Sequence, residues 1–436
     1  MKFLKDKINN PIDILYIMGF LFGFLLPIST KLSNISLIGF CTIVATFFVF
    51  KRVSFLKNNL KGLKFSAIFL LVPCVISVFV LGEIGIPLKV LGNRITFALL
   101  PLTFLFLSLN QLKEVKVFAL NGLVWGSAIT SVVLLVNNFS KYYATRPFLT
   151  LDSDFFNFYY TGHGFVGLID IHPSYYGMYL LLASAFILFK KRSKIRIMEV
   201  LIFVVFTLTI FFLSSRIILF LYFFMLTSFL FVKGSKVFKN RFKTILALGI
   251  FTVGLSIFLY KTLKDTYLFQ TLTKEVAWEL SYNVGQKYNS NTIGDSRVAR
   301  WKSALGLIVE RPILGYGVGK EKDFLEESYR QNNMMVAAES RYDSHNQFLG
   351  YTIEGGIVNL VLFLFIIFSS VYFIVKSRDL IAMFFILNVA AICLFENYFN
   401  RNAGITFFAF YGTVFLYISI LTNKKEKLGY GNKKVT

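Results

Sequence analysis

The sequence predicts an all-α, polytopic integral membrane protein of about twelve transmembrane helices, with one large external helical loop. Three observations predict it. Of 436 residues, 56% are hydrophobic and 18% aromatic, with a mean hydropathy of +0.65. Long apolar runs recur along the whole chain, and the basic residues gather in the short segments between them, which is the pattern of successive membrane spans. One long polar stretch, 261–346, interrupts the series.

Taken in order, the spans fall at 12–28, 35–50, 65–81, 95–109, 117–136, 173–189, 197–213, 217–232, 244–260, 347–375, 380–395 and 405–422. The basic N-terminus and first apolar run resemble a signal peptide, but no small-residue cleavage site follows, so the run reads as an uncleaved first span. Cys41, Cys74 and Cys393 lie inside apolar runs and have no disulfide or zinc spacing. Glu354-Gly355-Gly356 interrupts the tenth span. Neither an internal repeat nor a low-complexity linker is visible.

The formal net charge is +23. Its distribution argues for topology signals and lipid headgroup contacts, not nucleic acid. Lys and Arg cluster at 2–7, 51–64, 190–196, 233–243 and 424–434, with further pairs at 113–116 and 376–378. The opposite loops carry only Lys31, Lys89, Arg94, Lys141, Arg146, Arg216 and Arg401. Both termini are then cytoplasmic, and the segments 137–172 and 261–346 face out. Three regions follow: 1–260 with nine spans, the loop 261–346, and 347–436 with three spans and a tail.

Within the loop, 262–282 mixes apolar and charged residues at helical spacing and suits the membrane surface. Asp295 suits an N-cap for a helix 296–310, with Val298, Trp301, Leu305 and Ile308 as its apolar stripe and Pro312 as its stop. A third helix is expected from Lys322 to Glu339. Gly315-Tyr316-Gly317-Val318-Gly319 has no preceding strand, so it reads as a turn and not a nucleotide loop.

The residues with chemical potential lie at the outer boundary. Arg216, in Ser214-Ser215-Arg216, joins two apolar runs almost without a loop. It is either a snorkelling anchor or a cation facing an interior cavity. Arg297 and Trp301 share a helix face, and Arg300 lies one turn beyond Arg297. Guanidinium groups suit an anionic lipid headgroup. His345, in Asp343-Ser344-His345-Asn346, immediately precedes a span and suits a general base, although a lone histidine is commonly structural. His172 precedes Pro173 and reads either as a helix-entry residue or as part of a site; His163 is the weaker of the two. Asp152-Ser153-Asp154 is a D-x-D that suits a divalent metal only weakly. Glu354, Glu396 and Arg401 are polar residues at outer span ends.

Taken together, these motifs resemble the O-antigen ligase and O-antigen polymerase family of polytopic membrane glycosyltransferases. Four places carry the resemblance. They are Ser215-Arg216; Ser296-Arg297 with Trp301 and Pro312-Ile313-Leu314-Gly315-Tyr316-Gly317; His345-Asn346 with Glu354-Gly355-Gly356; and Glu396 to Gly404. They span about residues 170–415. The resemblance implies a bacterial inner-membrane protein with a periplasmic active site that uses neither metal nor nucleotide cofactor. The donor would be a polyprenyl-pyrophosphate-linked glycan, and the acceptor a sugar hydroxyl on a lipid or on another glycan. A single displacement would invert the anomeric centre. His345 would be the base, and Arg216 and Arg297 would bind the pyrophosphate. Arg300, His172, Trp301, Asn346, Glu354 and Arg401 stand as substrate-binding candidates, although Arg300 has no match in the family motif. Ligase is placed ahead of polymerase. A lipid-linked glycan transporter is the competing class, but it should place its ionisable groups nearer the bilayer midplane.

Overall fold

The computed structural model describes residues 11–82, 84–148, 152–190, 196–237, 267–287 and 293–431. The span expected at 244–260 lies outside them. The described residues are mostly helical; their strands form one short antiparallel ribbon, Gln286–Lys287 against Ile293–Gly294. Four helices among them are long and apolar enough to cross a membrane: Thr30–Val49, Leu109–Tyr143, Gln347–Ser377 and Asn402–Lys424. A bent pair, Lys57–Leu63 with Ala67–Phe79, makes a fifth if counted as one span. Shorter apolar helices are Asp13–Leu25, Pro173–Phe189, Ile197–Phe212, Arg216–Val232 and Leu380–Ile392. The fold is that of an all-α membrane protein.

The chain divides into two compact units. The first contains Met1–Leu26, Thr30–Gly122 and Trp278–Thr436. Asp13–Leu25 and Thr30–Val49 pack as a helical hairpin. Phe22 and Phe410 meet at 4.3 Å, and Phe40 and Phe104 both pack edge-on to Phe410. Helices approach closely where side chains are absent: a Cβ on Gly122 would lie 2.1 Å from the Phe20 carbonyl oxygen. Tyr411 and Tyr417 donate to the carbonyls of Ala119 and Pro101, so these two buried phenols are satisfied by backbone.

The polar segment forms its own small core in this unit. Ala299, Ala304, Leu307, Leu325, Tyr329 and Ala337 pack together with Ile353. The helix Arg297–Glu310 ends just before Pro312, as expected. Its cap is Ser296, whose hydroxyl accepts from the Ala299 amide, and not Asp295. Asp295 instead accepts from the Gly285 and Ala337 amides and so ties three segments together. The buried face is also different from the expected stripe. It consists of Ala299, Arg300, Ser303, Ala304 and Leu307, while Leu305 is exposed. Small residues let the neighbouring helix come close, and that contact decides the face. The single helix expected over 322–339 is two, Glu321–Gln331 and Met335–Glu339. Asn333, in the left-handed region at φ +57°, stands between them.

The expected interruption at Glu354-Gly355-Gly356 is present. Gly355 and Gly356 leave helical geometry inside Gln347–Ser377. The Tyr316 and Gly317 amides donate to the carbonyls of Ile353 and Glu354, and the Ile357 amide donates to Pro312. The P-x-x-G-x-G turn thus satisfies the backbone groups that the break exposes. Gly356 sits at φ +62°, and a Cβ there would lie 2.1 Å from the Ile313 carbonyl oxygen.

The second unit contains Pro27–Ser29 and Leu123–Ala277. Every residue of Pro173–Phe189 is buried, as expected of a helix apolar on all sides. Tyr176 meets the Ser131 hydroxyl at 2.8 Å, and Gly177 lets Ile218 pack against the helix backbone.

Candidate functional site

His345 occupies a loop between Met335–Glu339 and Gln347–Ser377. Its backbone lies in the left-handed region, φ +47°. For a residue with a side chain this costs about 1–3 kcal/mol, so the surroundings must impose it. They do so from both sides. The Ser344 amide and hydroxyl both donate to Glu321 Oε1, at 3.0 and 2.6 Å. Asn397 Nδ2 donates to both Glu321 oxygens, and Asn397 Oδ1 accepts from the Asn346 amide at 2.8 Å. Trp301 Nε1 donates to the Ser344 carbonyl at 2.9 Å.

The imidazole itself is partly exposed. Its Nδ1 lies 2.6 Å from Asp343 Oδ1, which also accepts the His345 amide at 3.0 Å. Among the described residues nothing hydrogen-bonds Nε2. Burial would push the Asp343 carboxyl up, but the His345 side chain and amide, with Lys322, outweigh it and bring it down to about 2. Asp343 is therefore ionised at neutral pH. Glu321 goes the other way. It is buried, and burial followed by repulsion from Asp343 and Glu354 raises it to about 7 against the Ser344 donors.

The arginine helix lies beside this loop, joined to it by Trp301. The Arg297 amide donates to Glu279 Oε2 at 2.7 Å, and Arg297 Nη1 donates to the Phe395 carbonyl at 3.0 Å. Arg300 is buried, with Nη2 3.6 Å from Glu279. Its guanidinium lies 5.1 Å from the Tyr342 ring centre, and that ring is 5.9 Å from the His345 ring. Among the described residues, Arg300 Nε and Nη1 are buried without a hydrogen-bond partner. Such donors are costly unless water or a ligand meets them.

Arg216 and His172 belong to the second unit. Arg216 opens the helix Arg216–Val237, two residues after Ser214 at φ +50°. Its Nη2 donates to Glu275 at 2.7 Å, and Glu275 is buried. His172 is the N-cap of Pro173–Phe189, its Nδ1 accepting from the Ser174 amide at 3.2 Å, and its ring lies 4.6 Å from that of His163. Asp152 and Asp154 both pair with Arg146.

Residues 200–364 match the family model described as O-Antigen ligase. Over these residues the chain is similar to the O-antigen ligase family. The chain is also similar to an "Uncharacterized protein" of Haemophilus influenzae, 25% identical over 148 residues. That alignment takes in 29% of this chain and 37% of the relative, so the chain spans little more than a third of that protein's length. The O-antigen ligase match contains Arg216, Arg297, Arg300, Trp301, His345, Asn346 and Glu354, while His172 and Arg401 lie outside it.

Several members of the ligase-like segment hold structure. Asn346 caps Gln347–Ser377, its Oδ1 accepting from the Phe348 and Leu349 amides. Glu354 is buried between Arg94, at 3.4 Å, and the Gly319 amide, at 2.8 Å. Arg94 also donates to Asn400 Oδ1. Arg401 is exposed and precedes Asn402–Phe407. Arg297, Arg300, Trp301, His345 and Asn346 come together in the first unit. Sequence reasoning missed Glu321, Glu279, Asn397, Glu275 and Arg94 as partners. Only Asn397 carried a signal, lying within the stretch 396–404.

Proposed function

We propose that this chain is a glycosyltransferase of the O-antigen ligase type. It would move a glycan from a polyprenyl-pyrophosphate carrier to a sugar hydroxyl of a lipid acceptor at the outer face of the bacterial inner membrane. The observation that carries this reading is His345, a partly exposed imidazole with Nε2 uncommitted among the described residues, braced against the helix that bears Arg297 and Arg300. In the reaction, the acceptor hydroxyl gives its proton to Nε2 as its oxygen bonds to the anomeric carbon. The bond from that carbon to the pyrophosphate oxygen breaks, and the electron pair leaves with the pyrophosphate. Attack opposite the leaving group inverts the centre. Arginines held in place before the reaction stabilise the developing charge. The family resemblance gives this part to Arg297 and Arg216, and Arg300 adds two donor nitrogens without a hydrogen-bond partner among the described residues. The family resemblance implies a reaction without metal, and the two aspartates of the D-x-D pair with Arg146. Twelve spans, cytoplasmic termini and an external 261–346 loop complete the reading.

The test is His345→Ala, assayed for transfer in membranes together with protein abundance. Loss of a general base costs roughly 10²- to 10⁴-fold in rate. Abundance should stay near normal, and His163→Ala should transfer normally. A His345→Ala protein that transfers at the parent rate overturns the assignment.

A further inference from the structure

We propose that Asp343 is the positioning residue of His345, locking its imidazole as the Nδ1–H tautomer and aiming Nε2 at the acceptor hydroxyl. This rests on the reading of His345 as the base and extends it to a residue that neither the family motif nor the resemblance supplies.

The argument begins with the backbone. A histidine at φ +47° is held in a conformation its side chain disfavours. Asp343 Oδ1 receives both the His345 amide, at 3.0 Å, and the ring Nδ1, at 2.6 Å. One carboxylate oxygen thus fixes the peptide and the ring together. The left-handed turn is what folds the ring back over the residue two before it. An ionised carboxylate only accepts hydrogen bonds, so the ring nitrogen facing it must carry a proton. In the neutral ring the lone pair then belongs to Nε2 alone. That nitrogen has no partner among the described residues, and the ring is 31% exposed. Tyr342, at 5.9 Å, bounds one side of the ring.

The chemistry follows from this arrangement. When the acceptor oxygen bonds to the anomeric carbon, its proton passes to Nε2 and the ring becomes imidazolium. Asp343 lies against the opposite edge, where its negative charge compensates the new positive one. A base whose other nitrogen is bound to a carboxylate is both oriented and stabilised in its protonated form. Without Asp343 the ring can present a protonated Nε2, which cannot take the proton.

The chain has three histidines, so full-length protein labelled with ¹⁵N-histidine in lipid nanodiscs gives a countable set of ring signals. His163→Ala and His172→Ala identify the His345 pair. In the neutral ring, His345 is expected to show a protonated Nδ1 and a bare Nε2. Asp343→Asn should lose that preference. Its transfer kcat should fall about tenfold or more, with KM within about twofold, because the change affects the reacting state and not substrate binding. A merely structural role for Asp343 would lower protein yield and leave the surviving protein's tautomer and kcat unchanged. The proposal is overturned if the parent protein shows a protonated Nε2, a result that needs no variant to fold. It is equally overturned if Asp343→Asn keeps both tautomer and rate. A His345→Ala protein with full activity would instead remove the base assignment, so the two failures are distinguishable.

Discussion

His345 and Asp343 are joined twice across a single intervening residue, once through the ring at 2.6 Å and once through the backbone amide at 3.0 Å. The residue between them, Ser344, is anchored separately to Glu321. The loop is therefore set by two acidic side chains with opposite tendencies, one strongly ionised and one inclined to hold a proton. That contrast has a measurable consequence.

Glu321 titrates near 7 in the folded protein against an ordinary 4.5. Its folded value is raised, so its contribution to stability is fully present below pH 4.5 and is lost as pH rises through 7. The difference corresponds to a few kcal/mol. Asp343 is depressed, so its contribution disappears only at pH values below that window. Thermal unfolding of the purified protein between pH 5 and 8 should show a falling Tm. Glu321→Gln should flatten the slope. An identical slope in the variant would show that another group is responsible.

Arg216→Lys should impair transfer nearly as much as Arg216→Ala, with losses on the order of 10²-fold, as for removal of one preorganised donor. Lysine can keep a contact with Glu275 but lacks the planar fork that holds two phosphate oxygens in parallel. The comparison is made by transfer rate at matched membrane abundance. Full activity in the lysine variant would reduce Arg216 to a positive anchor.

Gly356→Ala should damage folding. The position is left-handed, which costs a residue with a side chain roughly 1–2 kcal/mol, and the new methyl would collide with the Ile313 carbonyl. A lowered Tm and reduced membrane abundance are expected. Gly306→Ala, whose methyl would meet nothing within 4 Å, should be tolerated and serves as the control. Equal behaviour of the two variants would contradict the close packing of the turn on the broken helix.

A reporter inserted near Gln286 should give a periplasmic signal. A cytoplasmic signal there would reverse the orientation and remove the lipid-pyrophosphate reaction from the outer face.

What was legible in the sequence was local. Pro312 stops its helix through its own ring, and Gly355-Gly356 breaks the following one through missing side chains, so both were readable from neighbouring residues. The apolar run 173–189 likewise marked a helix, although its burial on every side shows only in the structure. The partners were not local. Glu321 lies 24 positions from His345, and nothing in its helix distinguishes it from the acidic residues around it. Arg94 looked like a loop cation, yet it is 3% exposed and paired with Glu354. The buried face of 297–310 was misread because alanine and serine weigh little in an apolar stripe, while close helix packing selects them. Asp295 was read as a cap because sequence shows only its adjacency to the helix, not the two distant amides it serves.

The broken helix and the P-x-x-G-x-G turn exchange hydrogen bonds in both directions, Tyr316 and Gly317 to Ile353 and Glu354, and Ile357 back to Pro312. Neither half is complete alone. Anyone building chimaeras of this region would have to transplant 312–317 and 353–357 as one cassette. A loop exchanged without its matching glycine break would arrive with its amides facing an intact helix, whose carbonyls are already taken.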